Sequence, residues 1–168
     1  MKKNILSVIA IALVGIIAFT SCEKQTMTDY LTTEKGWKLT AATTTPYWTL
    51  NDNTQITDLI AGGYVYECET DDVIKFNADG YEYMNPGANV CEWQPSQETS
   101  LGKWEINEES KVLNMQIPFF YDEEMESCKI VTLNKDELQV QYTWELTADD
   151  AKGVPGTYTF TLTYERVK

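Results

Sequence analysis

From Glu137 to Leu146 the chain alternates without a fault. Leu138, Val140, Tyr142, Trp144 and Leu146 fall on one side, and Glu137, Gln139, Gln141, Thr143 and Glu145 on the other. Side chains repeat every two residues only along a strand, so this segment reads as a strand with one face in a core and one in water. The last segment does the same, with Tyr158, Phe160, Leu162 and Tyr164 opposite Thr157, Thr159, Thr161, Thr163 and Glu165. Together the two predict a C-terminal hairpin. Their connection, Ala148 to Gly156, is rich in turn formers and too long for a tight turn.

Shorter strand signals precede them. Val73–Phe76 and Tyr81–Met84 flank Asn77 to Gly80, whose Asp-Gly pair marks a hairpin. Leu101–Ile106 and Val112–Ile117 flank a polar turn, Lys129–Leu133 leads through Asn134 to Asp136 into the long strand, and Gly36–Ala42 stands in front. The count is eight. Only Asn53–Ala61 hints at a helix, because Ile56, Leu59 and Ile60 have helical spacing. Eight short antiparallel strands with local turns must curl until their apolar faces meet. The expected fold is all-β, a small eight-stranded up-and-down barrel, with a two-sheet sandwich as the alternative. Such a barrel is filled by its own side chains or holds one small ligand.

The N-terminus carries an address. Lys2 and Lys3, an apolar run from Ile5 to Phe19, and then Thr20 and Ser21 have the layout of an export signal ending at Cys22. The run is shorter than the ~20 residues a membrane-spanning helix needs. Phe19-Thr20-Ser21-Cys22 resembles a lipobox, which implies lipid attachment at Cys22; the alternative is ordinary secretory cleavage with Cys22 left as a thiol. The domain plan is therefore a signal peptide over 1–21, a flexible tether over 22–33, and one β-barrel domain over 34–168. Removing the signal leaves 11 basic residues against 26 acidic ones, a net charge of −15. That charge disfavours nucleic acid and repels anionic lipid, so attachment to a membrane falls to acyl chains. The expected location is the bacterial envelope, at the outer membrane.

Cys68-Glu-Thr-Asp-Asp72, Phe76, Asp79-Gly80-Tyr81, Cys91 and Gly102-Lys-Trp104 recur in an order that resembles the lipocalin-like domains of small Gram-negative surface lipoproteins. Gly36-Trp37-Lys-Leu39 suits that family's opening strand, and the resemblance covers residues 31–168. It implies a lipocalin-like barrel, in families that mostly have no assigned ligand. The first strand has Gly-Trp where true lipocalins carry Gly-x-Trp, so retinoid or lipid carriage is not implied. Export permits disulfides, and Cys68 and Cys91 bracket a hairpin and the irregular stretch Asn85 to Ser100. A Cys68–Cys91 bridge is expected, against unpaired thiols or a bridge to Cys128.

The chain has no His, which removes Ser-His and Cys-His nucleophile pairs, imidazole bases and most zinc sites. The acidic pairs Asp71-Asp72, Glu123-Glu124 and Asp149-Asp150 fit no calcium-loop pattern and read as solvated loops. No catalytic residue, metal or cofactor is expected, and an acid/base enzyme would need facing carboxyl groups that the sequence does not show. Tyr142, Trp144, Tyr158, Phe160 and Tyr164 read as core, or a few of them with Tyr83 and Trp104 as the lining of one end of a cavity for a small hydrophobic ligand. Tyr47, Trp48, Trp93, Phe119, Phe120 and Tyr121 lie outside the strand alternation; exposed, they would suit a carbohydrate or a partner protein, and otherwise they cap the barrel.

Overall fold

A computed structural model of the protein describes residues 25–120, 125–147 and 153–168. The export signal and Cys22 lie outside the described residues. A short helix α1, Met27–Leu31, precedes ten strands: β1 Trp37–Thr49, β2 Gln55–Asp58, β3 Val73–Phe76, β4 Tyr81–Asn85 and β5 Thr99–Lys103, then β6 Glu105–Asn107, β7 Val112–Met115, β8 Glu126–Leu133, β9 Glu137–Leu146 and β10 Gly156–Arg166. All ten belong to one antiparallel sheet, in the order β5-β4-β3-β1-β10-β9-β8-β7-β6, with β2 on β1. The two ends of that path, β5 and β6, are consecutive in the chain and separated only by Trp104. One stave therefore pairs with β4 through its first half and with β7 through its second. This continuity nearly closes the sheet into a barrel.

The strand count is ten rather than the expected eight, for two local reasons. The stave 99–107 breaks where the backbone N–H of Trp104 donates to Gly80 O (3.0 Å) and its indole N–H to Asn77 O (3.0 Å), drawing it towards the β3–β4 turn. The second extra strand is β2, in the segment read as a helix. There Ile56 pairs across from Trp48, and the Asp58 carboxylate accepts the N–H groups of Ile60 and Ala61 to form a turn. An Asp side chain that supplies its own turn competes with helix.

The alternation of β9 and β10 holds over ten paired positions, from Gly156↔Leu146 to Glu165↔Glu137. It places Leu138, Val140, Tyr142, Phe160, Leu162 and Tyr164 in the core. In β1 a register shift between Leu39 and Ala41 keeps both Leu39 and Ala42 inward.

One end of the barrel is sealed. Residues 22–33 were expected to form a tether, yet Met27–Leu31 are helical and Leu31 is fully buried. The cause is a capping box: Thr26 Oγ1 accepts the Asp29 N–H (3.1 Å), and Asp29 Oδ2 accepts the Thr26 N–H (2.7 Å). Trp37, also fully buried, donates its indole N–H to Leu31 O at 2.9 Å and locks the helix under the barrel. Gly36 precedes it at φ +78°, where a Cβ would lie 2.6 Å from Ile74 O, so the chain needs glycine to enter β1.

Candidate functional site

With α1 and the turns at 77–80 and 134–136 at the sealed end, the strand directions put the β2–β3, β4–β5 and β7–β8 connections together at the mouth. The mouth is organised by the Cys68–Cys91 disulfide, with Cα atoms 5.3 Å apart. It ties the 3-10 turn Glu67–Glu69 to the long β4–β5 loop. The acidic pair beside it is no solvated loop. Asp71 Oδ2 accepts the N–H groups of Ala88 (2.7 Å) and Asn89 (3.2 Å), and Asp72 accepts from the Gly87 N–H (3.2 Å) and the Gln94 side-chain amide (2.6 Å). A Cβ on Gly87 would collide with the Asp71 carboxylate, so glycine is what lets this loop reach its acceptors. Burial is the largest influence on Asp72 and raises its pKa, opposed by the hydrogen bonds from Gln94 and Gly87. The pairs Glu123-Glu124 and Asp149-Asp150 lie outside the described residues.

Beneath this rim is a small cavity lined by Leu39, Glu69, Asp72, Ile74, Pro118, Phe119 and Tyr164. The 3-10 turn Pro118–Phe120 contributes Pro118 and the buried Phe119 to that lining. Water has access to about 20 Å³ of it, the room one water molecule requires. Tyr164, on β10, is completely buried, and its hydroxyl has no hydrogen-bond partner. Burial raises its pKa well above the usual tyrosine value, with further upward pushes from Cys128 and Glu82.

Glu82 sits deeper in the barrel. It pairs with Phe76 across β3 and β4, shares the inward face with Met84, and has no solvent exposure. One carboxyl oxygen accepts the Gln116 backbone N–H at 2.9 Å, bridging β4 to the end of β7 where no strand pairing closes the wall. The other, Oε1, has no partner. Burial pushes its pKa up to about 8 against the smaller opposing effect of the Gln116 bond, so at neutral pH the protonated acid predominates. Cys128 is a buried free thiol, pushed up to about 12 by burial and then by Glu126 and Glu82.

The aromatics chosen from sequence divide. Tyr142, Tyr158 and Phe160 are buried and Trp144 is half-buried, in a cluster where Tyr142 stacks on Phe160 at 5.6 Å and Trp48 meets Trp144 at 5.9 Å. None of these four lines the mouth cavity, and neither does Trp104, which packs edge-on against Phe76 at the seam. Tyr83 is a correction: it pairs with Lys75 on the face opposite Glu82 and Met84, so it points out of the barrel. The rings that do line the cavity are those of Tyr164 and Phe119. Among the loop aromatics Trp48 and Phe119 are buried, whereas Trp93 is 55% exposed beside Tyr66 and Tyr47 is also exposed. Tyr121 lies outside the described residues.

A nearly closed antiparallel meander with one sealed end, one mouth and an inward-facing apolar core defines a small lipocalin-like barrel. A family model described as a lipocalin-like domain matches residues 23–140, more than half of the sequence, and the chain belongs to that family. The match ends within β9, and β10 beyond it supplies the partner that joins β9 to β1. No curated protein matches the chain.

Proposed function

We propose that this protein is an exported, lipid-anchored lipocalin-like binding protein of the bacterial envelope that holds a small hydrophobic ligand at the mouth of its barrel. Anchoring rests on the signal-like residues 1–21 and on Cys22 at the lipobox position; a strongly acidic domain gains no adhesion to anionic lipid from charge. The observation that carries the binding role is the mouth cavity, where Leu39, Ile74 and Tyr164 of the strands meet Glu69, Asp72, Pro118 and Phe119 of the connections. Strand pairing fixes the first three, whereas Pro118 and Phe119 stand on a single 3-10 turn. A drug-sized ligand occupies roughly 300 Å³ or more, so it enters by displacing Phe119 and taking over its apolar contacts. Exposing a buried Phe costs about 1.5–3 kcal/mol, which the ligand's own burial offsets. The protein acts without chemistry on its cargo. Among the described residues Trp48 and Phe119 are buried, which takes two of the candidate rings away from a sugar, so the carbohydrate reading is not favoured.

The test is a titration of tryptophan fluorescence with short alkyl ligands, comparing the native protein with Phe119→Ala. Removing the Phe119 side chain is expected to tighten binding by about tenfold or more, since the ligand no longer displaces it. Absence of saturable binding by both proteins would sink the reading.

A further inference from the structure

The charge of this domain is sorted between its two ends. Among the described residues, the connections at the mouth, 59–72, 86–98 and 116–120, carry six acidic side chains and no Lys or Arg. At the sealed end Lys35, Lys135, Arg166 and Lys168 line one open groove together with Glu34 and Asp136. Water reaches about 430 Å³ of that groove, against the single-molecule space under the mouth. All four cations are exposed. Arg166 is held in place by neutral partners, its Nε donating to Thr33 Oγ1 (2.8 Å) and its Nη1 to Lys135 O (3.3 Å), which leaves three of its five N–H donors. Among the described residues the one ion pair at the groove joins the neighbours Lys135 and Asp136 at 3.8 Å, so Lys35, Arg166 and Lys168 have no carboxylate partner. Four cations against two acids give the groove a positive balance in a chain whose net charge is −13.

We propose that the domain stands on its sealed end, with this groove against the anionic headgroups of the membrane that holds the Cys22 anchor and with the mouth turned to the water. This rests on the anchoring reading and deepens it by naming the surface that meets the lipid. Cys22 lies four residues before Thr26, the N-cap of α1, so the anchor leaves the barrel from the sealed end on a link of at most ~14 Å. Strands such as β9 have ten residues, ~30 Å from end to end, so that link is too short to set the mouth face-down on the same bilayer. Charge decides among the orientations that remain. The field of an anionic surface fades within ~8 Å at physiological salt, so it acts on the face nearest the lipid and not on the net charge. It favours contact about fivefold for each Lys or Arg and repels the acids of the mouth connections. Asp29 and Glu108 also lie at the sealed end, where α1 takes them up by donating the Thr26 and Thr28 N–H groups to them. The acyl chains thus supply the adhesion, and the uneven charge sets the direction.

The experiment places the acylated protein in nanodiscs of phosphatidylcholine, alone or with phosphatidylglycerol as about a third of the lipid. Mass spectrometry then reads amine labelling at Lys35, Lys135 and Lys168 and carboxyl labelling at Glu67 and Glu92 of the mouth connections. In the anionic discs the three lysines should be shielded about fivefold relative to the neutral ones, while Glu67 and Glu92 label equally in both. Lys35→Glu combined with Lys168→Glu changes two exposed side chains, keeps the fold by circular dichroism, and should restore Lys135 labelling in the anionic discs. Equal lysine labelling in the two discs, shielding of Glu67 and Glu92, or shielding of Lys135 that the double variant retains would each overturn the orientation and leave the anchor standing. If inorganic phosphate shields the same lysines as strongly in neutral discs, the groove is a site for a free anion and the docking assignment is overturned. If the protein carries no acyl mass and does not stay on neutral discs, the anchoring reading fails and this assignment fails with it.

Discussion

Replacing Glu82 with Gln should make the protein more stable at alkaline pH. The native carboxyl titrates at about 8 and an unfolded one at 4.5. Between those values the folded chain keeps a proton that the unfolded chain has released, so the native acid contributes less to stability as pH rises. Below 4.5 both states are protonated and nothing is lost. Each pH unit in the window removes ~1.4 kcal/mol, for a total of about 5 kcal/mol once pH exceeds the native value. Gln does not titrate and is the nearest mimic of the protonated acid. Its amide oxygen can still accept the Gln116 N–H, and its NH₂ takes the place of Oε1. Urea unfolding of both proteins at pH 5, 7 and 9, with the disulfide kept oxidised, isolates the effect because every other titrating group is common to both. The two should be nearly equal at pH 5, and the Gln protein should lead by several kcal/mol at pH 9. A difference that does not grow with pH, or a Gln protein that is the weaker at pH 9, would mean that Glu82 is ionised and stabilised in the folded state.

Cys128, buried with its thiol pushed up to about 12, should resist an aromatic disulfide reagent at pH 8 and react only with unfolding; rapid labelling of the folded protein would contradict its placement. Reducing the Cys68–Cys91 bridge, which spans a separation of 23 residues, should cost about 3 kcal/mol by chain entropy, read from urea midpoints with and without reductant. An unchanged midpoint would mean that the rim is ordered without it. Gly36→Ala should cost about 2 kcal/mol or more, because the backbone is left-handed there and the added Cβ meets Ile74 O and Val73 Cγ1 at 2.6 Å. A thermal melt as high as that of the native protein would refute this.

The strands were legible where alternation was long or turn residues were strong. β9 lies where the pattern from Glu137 to Leu146 put it, and β3 matches Val73–Phe76. What the sequence concealed were positions decided by pairing. In Tyr81-Glu-Tyr-Met the tyrosines look like the inward residues, but the hairpin sets Glu82 against Phe76 and Met84 against Ile74. A one-residue change of register exchanges the two faces of a strand, and tyrosine tolerates either one, so only the pairing fixes Glu82 inside. The helix α1 was missed because five residues give no sustained period, although Thr26-x-x-Asp29 was a readable start signal. β2 was hidden for a similar reason: it has a single inward residue, Ile56, and an Asp that stops it.

The mouth was legible in outline and not in its chemistry. Cys68 and Cys91 form the expected bridge, and the Asp71-Asp72 pair lies beside them. That these acids would hold the loop 87–94 rather than face water depended on Gly87 and Gln94 folding back some 15 to 22 residues later, which no local pattern encodes. Tyr164 was visible as one more inward ring of β10. Its unpartnered hydroxyl and its place in the cavity lining emerge only when the β2–β3 and β7–β8 connections meet over it.

The most direct measurement of the central claim, an anchored barrel that carries a small ligand, is native mass spectrometry of the protein purified from its own envelope. The account predicts a polypeptide beginning at Cys22 with acyl mass and one disulfide, together with a non-covalent small molecule that leaves on collisional activation. A protein that carries no adduct, and gains none when octanol is added, would contradict it.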